Sequence, residues 1–384
     1  MKSLQQWFYD KEKGFEWCFA ILFTGSLYLR PFVHKGNLMI IDSHLYLNMA
    51  EQVFQGVFFQ NVLTADPSLY WHWPLGFPFL AGLISFFFEG DVFFAGRVLQ
   101  SFFFGMILIL LKKSFPKDWG FYLALISTGT FLGLFLSTLT EAGFIAFGFL
   151  MLYLMIKEHK RWIAIFFTMV SIYLFRHVGI FVGGFVLWQY WKEERDMRWL
   201  SVLLAFSMVV LGYSFLEYQA NSQLTGAGIA GESVGRMEML LIWVKATFAY
   251  FSYFDVENFG GRAGKVLFFI GLVPMLLAGI WGFNVILKNK PQESILIRTY
   301  TRFGLSYFAV FLFVILVLGW DHQGWGIQGR YIAPGAVFLL IALFESYRPQ
   351  EGYPWKLRAV FKGAAMCMVL YNGYLQAYLD SLSG

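Results

Sequence analysis

Long apolar runs recur along this chain, separated by short clusters of charge. They lie near residues 17–33, 91–111, 119–137, 140–156, 162–176, 178–191, 199–217, 264–287, 302–320, 331–346 and 359–379. A helix that crosses a bilayer needs about 20 mostly apolar residues. A twelfth run, Trp73 to Phe88, is interrupted by Pro74, Gly76 and Pro78, a pattern that predicts a re-entrant or interfacial element, or else a kinked span. Composition points the same way. Of 384 residues 58% are hydrophobic and only 14% charged, against about 25% charged in an ordinary soluble domain. So few charges leave a body of this size without a polar coat. The expected fold is therefore all-α: a polytopic transmembrane helical bundle of eleven spans (twelve if 73–88 crosses), built as a single transmembrane domain over 1–384.

Charge placement orients the bundle. With a cytoplasmic N-terminus and eleven spans, 20 of the 29 Lys and Arg fall on the cytoplasmic side, whereas the acids divide 11 to 13. That bias follows the positive-inside rule. A crossing at 73–88 would invert every later cluster, so eleven spans are preferred. The net charge of +5 then reflects topology and contact with anionic membrane lipids, with no call for nucleic acid. No small-residue cleavage site follows the first run, which reads as a retained span. Cys18 and Cys367 lie inside apolar runs, outside any metal-binding spacing, and read as small buried hydrophobes.

Two extracytoplasmic segments are long, 34–90 and 218–263, and Trp320 to Gly329 forms a short one. His34, His44, His72, His177 and His322 fall on this side, and topology rules do not require them there. In the first loop, Tyr46, Met49, Ala50, Val53 and Phe54 recur at helical spacing from Asp42 onward. This predicts an amphipathic interfacial helix with Asp42 or Ser43 as N-cap. Asp42 is a cap by position and a general base or metal-coordinating carboxylate by chemistry. His44, His72, His177 and His322, with Asp321, are candidates for acceptor contact or a metal site, although no HExxH-like spacing supports the latter. The Gly- and Ser-rich stretch 221–235 has no following Lys-Ser/Thr and is no P-loop; it reads as a lid or a connector.

Read in order, the motifs are Asp42-x-x-x-Tyr46-x-x-x-Ala50, then Trp73-Pro-x-Gly-x-Pro78-x-Leu80, then Ala95-Gly-Arg97. This order resembles the opening of the GT-C superfamily of integral-membrane glycosyltransferases. Within that superfamily it is most similar to the protein-mannosyltransferase and lipid A aminoarabinose-transferase branch. Three further pieces fit: Glu141 after Ser137-Thr-Leu-Thr, Arg176-His177 at the outer end of a hairpin of spans, and Gly329-Arg330-Tyr331-Ile-Ala-Pro334. The resemblance covers roughly 17–160 and 320–346. Where the family often carries two acids in the first loop, this chain has Asp42 followed by Ser43 and His44.

The resemblance implies a GT-C-like fold and transfer of a sugar from a polyprenyl-phosphate carrier to a lipid, glycan or protein acceptor, on the extracytoplasmic face. Under it, Asp42 and Glu141 are the catalytic carboxylates. Arg330 with Tyr331, Arg176 and Arg97 bind the donor phosphate, because guanidinium groups match a leaving phosphate. No cofactor is required by the motifs, and a divalent cation (Mg or Mn) is compatible with them. Compactness and the lack of eukaryotic sorting signals favour a bacterial inner membrane. Two other classes fit the composition: a lipid-linked saccharide transporter or flippase, and an envelope assembly protein without catalysis.

Overall fold

The fold was examined in a computed structural model, which describes residues 2–33, 41–66, 73–137, 139–158, 161–191, 197–221, 291–316, 329–350 and 352–371, with 280, 282–284, 287–289 and 374. Among these residues every regular element is helical. In chain order they are α1 (Lys2–Val33), α2 (Ile41–Phe54), α3 (Phe58–Leu63), α4 (Gly76–Ser85), α5 (Val92–Ser114), α6 (Trp119–Ile126), α7 (Gly129–Leu136), α8 (Thr140–Lys157), α9 (Trp162–Phe175), α10 (Phe181–Gln189), α11 (Met197–Asn221), α12 (Ile295–Leu316), α13 (Gly329–Ser346) and α14 (Trp355–Leu370).

Among the described residues, α5, α8 and α11 are long and apolar enough to cross a membrane, and the bent pair α6–α7 makes a fourth if it counts as one span. Shorter apolar helices surround them. The distribution of apolar residues is compatible with a protein embedded in a bilayer. On α11 a buried stripe of Trp199, Val202, Phe206, Val210 and Tyr213 faces the bundle, yet Leu204, Met208, Leu211 and Phe215 on the opposite side are exposed and equally apolar. A helix that is hydrophobic all round belongs in a core or in lipid. The same logic corrects the reading of the cysteines. Both are exposed, because the buried stripe of α1 runs through Phe19, Phe23 and Leu27 and leaves Cys18 outside it.

The run 119–137, expected as one span, is instead broken by 83° between α6 and α7. The physical cause is local. Thr128 caps α7 by accepting from the Phe131 amide, and the Ser127 hydroxyl donates back to the Leu123 carbonyl. Hydroxyls that offer the backbone such alternatives end helices. Both residues are fully buried. The bent pair links two polar clusters, one at Asp118 before α6 and the other at Leu136 at the end of α7.

These clusters mark two ends. At one, Asp118 (3% exposed) pairs with Arg358 at 3.1 Å and with Arg348. Close by, Tyr122 donates to Glu345, and Lys362 pairs with Glu16 at 3.3 Å. These contacts tie α1, α6, α13 and α14 together. At the other end the loop between α7 and α8 meets α2, α5 and α9. The core between them is aromatic, with Phe103 and Phe175 edge-on at 5.2 Å and Phe303 and Phe338 at 4.7 Å.

The interrupted run 73–88 forms α4 and a following turn of 3-10 helix, Phe86–Phe88. It packs onto α2, α5 and α9. Gly82 permits the closest approach: a Cβ there would stand 2.5 Å from the Ala50 carbonyl and collide with Val53.

Candidate functional site

Three carbonyls at the end of α7 and in the turn after it organise the second end. The last carbonyls of a helix lack partners within it. Arg97, in the first turns of α5, donates to the Leu136 carbonyl. Gln100, one turn on, donates to Leu139 at 2.9 Å, and the Ser43 hydroxyl of α2 donates to Ser137. Side chains from two other helices thus close α7, and a cation at a helix C-terminus also meets its negative pole. Arg97 is 2% exposed, with its guanidinium 5.0 Å from the centre of the Phe93 ring. Its position explains its burial: it holds the turn that delivers Glu141.

Glu141 stands in the first turn of α8, 1% exposed, where the helix N-terminus favours a carboxylate. One oxygen pairs with Arg176, and the other accepts from Thr140 at 3.3 Å. Arg176 follows the last residue of α9 in extended conformation and remains partly open, its side chain 14% exposed. His177 begins the 3-10 turn that leads into α10. Its Nε2 lies 3.3 Å from the Tyr213 hydroxyl of α11, which also donates to the Trp73 carbonyl at 3.4 Å.

The first-loop helix forms as its periodicity predicts, with Tyr46, Met49, Ala50 and Val53 buried. It begins at Ile41, so Asp42 and Ser43 lie within its first turn and not at the N-cap. Ser43 is wholly buried through its bond to Ser137, whereas His44 points away and is exposed. Asp42, Arg330 and Tyr331 are described only as backbone, in the first turns of α2 and α13. His34, His72, Asp321 and His322, with most of 218–263, lie outside the described residues. Among the described residues no group of three His, Cys, Asp or Glu stands close enough to hold a metal ion.

The structure thus brings Ser43, Arg97, Glu141, Arg176 and His177 to one end. It adds two residues that the sequence reading passed over, Tyr213 and Glu217. Glu217 is 3% exposed on α11; it read as the last residue of a span, where a charge needs no explanation. Its place on the buried stripe, at three- and four-residue intervals from Trp199, was the available signal.

What the fold defines, among the described residues, is a set of helices, several of them apolar and compatible with an integral membrane protein. No protein-family model, curated protein or solved structure matches the chain.

Proposed function

We propose that this protein is an integral-membrane glycosyltransferase of GT-C type, which moves a sugar from a polyprenyl-phosphate carrier to an acceptor outside the cytoplasm. In this reading the bundle has eleven spans and a cytoplasmic N-terminus, and the Asp118 end faces the cytoplasm. Lys112, Lys113 and Lys157 in the last turns of α5 and α8 agree with that sidedness. The Glu141 end is the active-site end.

The single observation that carries the reading is the pairing of buried Glu141 with the partly open Arg176. Three charged residues that the motif order groups, Arg97 of α5, Glu141 of α8 and Arg176 after α9, come to the same end of the bundle, where Ser43 of α2 also bonds the turn before α8. Most charges stand near the ends of the apolar runs, which favours an enzyme over a transporter with ionisable groups midway through its spans.

The chemistry follows from the residue types. An acceptor hydroxyl or amine attacks the anomeric carbon and gives its proton to Asp42, the proposed base. The bond from that carbon to the phosphate oxygen breaks, and the electron pair leaves with the phosphate, which gains negative charge. Arg176, with Arg330 and Tyr331, stabilises that charge. Glu141 acts through Arg176 as a positioning residue, and Arg97 supports the turn that carries Glu141. Replacing Asp42 by Asn should abolish transfer in membrane vesicles while expression and folding persist, measured as label moved from polyprenyl-phosphate sugar to acceptor. Full activity in that variant removes Asp42 from the mechanism.

A further inference from the structure

The buried stripe of α11 ends on a residue that packing does not explain. Trp199, Val202, Phe206, Val210 and Tyr213 are apolar or aromatic, and the next position in the series is Glu217. The other buried acids at the bundle ends have cations: Glu16 has Lys362, Asp118 has Arg348 and Arg358, and Glu141 has Arg176. Glu217 Oε1 has no hydrogen-bond partner among the described residues. A buried carboxylate in that state lacks the donors that normally offset its desolvation.

Its surroundings are aromatic. Tyr213 lies one turn earlier on the same face, and Glu217 is near enough to act electrostatically on both Tyr213 and Tyr173. The Tyr173 and Tyr213 rings meet edge-on at 5.7 Å, and His177 lies 5.1 Å from Tyr213. The Tyr213 hydroxyl leads on to the Trp73 carbonyl, and the Trp73 ring meets Tyr46 edge-on at 5.7 Å. Ring surfaces accommodate C–H groups, and the Tyr213 hydroxyl donates to the Trp73 carbonyl and leaves Glu217 Oε1 without it. A sugar supplies both needs: hydroxyl donors for the carboxylate and a C–H face for the rings.

We propose that Glu217, with Tyr173, His177, Tyr213 and Trp73, forms a saccharide subsite, in which Glu217 accepts hydrogen bonds from sugar hydroxyls. This rests on the glycosyltransferase reading and deepens it. His177 directly follows Arg176, so the sugar subsite adjoins the proposed phosphate position, as the two halves of a sugar phosphate require.

The test compares the wild type with Glu217→Gln and Glu217→Ala in lipid nanodiscs, with folding checked by melting temperature. The probes are bare polyprenyl phosphate and the same carrier bearing glucose, galactose, mannose or N-acetylglucosamine. The wild type should bind at least one sugar-bearing carrier more tightly than the bare one. Glu217→Gln, which keeps the side chain's size, should lose about tenfold or more of that affinity, with binding of the bare carrier within about twofold of wild type. Retention of the full sugar preference in both variants overturns the subsite while leaving the donor reading standing. Equal wild-type binding of every carrier, with or without sugar, also overturns it. If the wild type binds no carrier at all, the glycosyltransferase reading fails and the subsite with it.

Discussion

Asp118 illustrates at the scale of one residue what burial demands of a charge in this chain. Its carboxylate is 3% exposed and takes Arg348 and Arg358 together. Burial works against the charge on Arg348, but Asp118 and Glu345 beside it outweigh that and hold the guanidinium protonated more firmly than usual. Asp118→Ala would leave Arg358 without its carboxylate and Arg348 with Glu345 alone, at a cost on the order of 3 kcal/mol. Denaturation of the purified protein in micelles should register that loss, whereas transfer activity per folded molecule should stay near wild type. Unchanged stability would mean that the pair adds nothing. The topology expected from the sequence groups these three residues on one side. Their pairing was not legible, because Asp118 and Arg358 are 240 residues apart. Glu141, Arg97 and Arg176 were singled out by the resemblance of the motifs they stand in; Glu217, the last residue of the run 199–217, belongs to none of those motifs.

Among the elements, α2 was the most legible, because one face repeats apolar residues at helical spacing and that face is the buried one. The break between α6 and α7 was not. It contains no proline, and Ser127 and Thr128 interrupt the apolar run too briefly to register as a boundary. Their hydroxyl bonds, which make the bend, appear only once the helix is formed. The helix α4 is positioned by small residues: Gly76, Ala81, Gly82 and Ser85 all lie on its buried side. The expected cost of Gly82→Ala is about 1–3 kcal/mol, since the new methyl must displace Val53 or the α2 backbone. Because α2 carries Asp42 and Ser43, the same substitution should lower transfer activity as well. A melting temperature and rate equal to wild type would show that α2 and α4 are free to separate.

At the scale of the whole molecule, the buried charges of the described residues gather in two regions of an apolar body. One is tied by the Asp118 and Glu16 pairs, and the other holds Glu141 with Arg176, followed by His177 against Tyr213 of α11, the helix that carries Glu217. Sequence periodicity and charge bias anticipated an all-helical apolar bundle. They did not anticipate that Arg97 and Ser43 would serve as caps for α7, because capping across helices depends on packing. The central claim is that the Glu141 end carries out sugar-phosphate chemistry. Its most direct test is incubation of purified wild type and Arg176→Gln with a panel of radiolabelled polyprenyl-phosphate sugars. The account expects the wild type to bind at least one donor and release or transfer its sugar, and the folded Arg176→Gln variant to be slower by about 100-fold or more. Failure of the wild type to bind or turn over any donor, or full activity in Arg176→Gln, would contradict it.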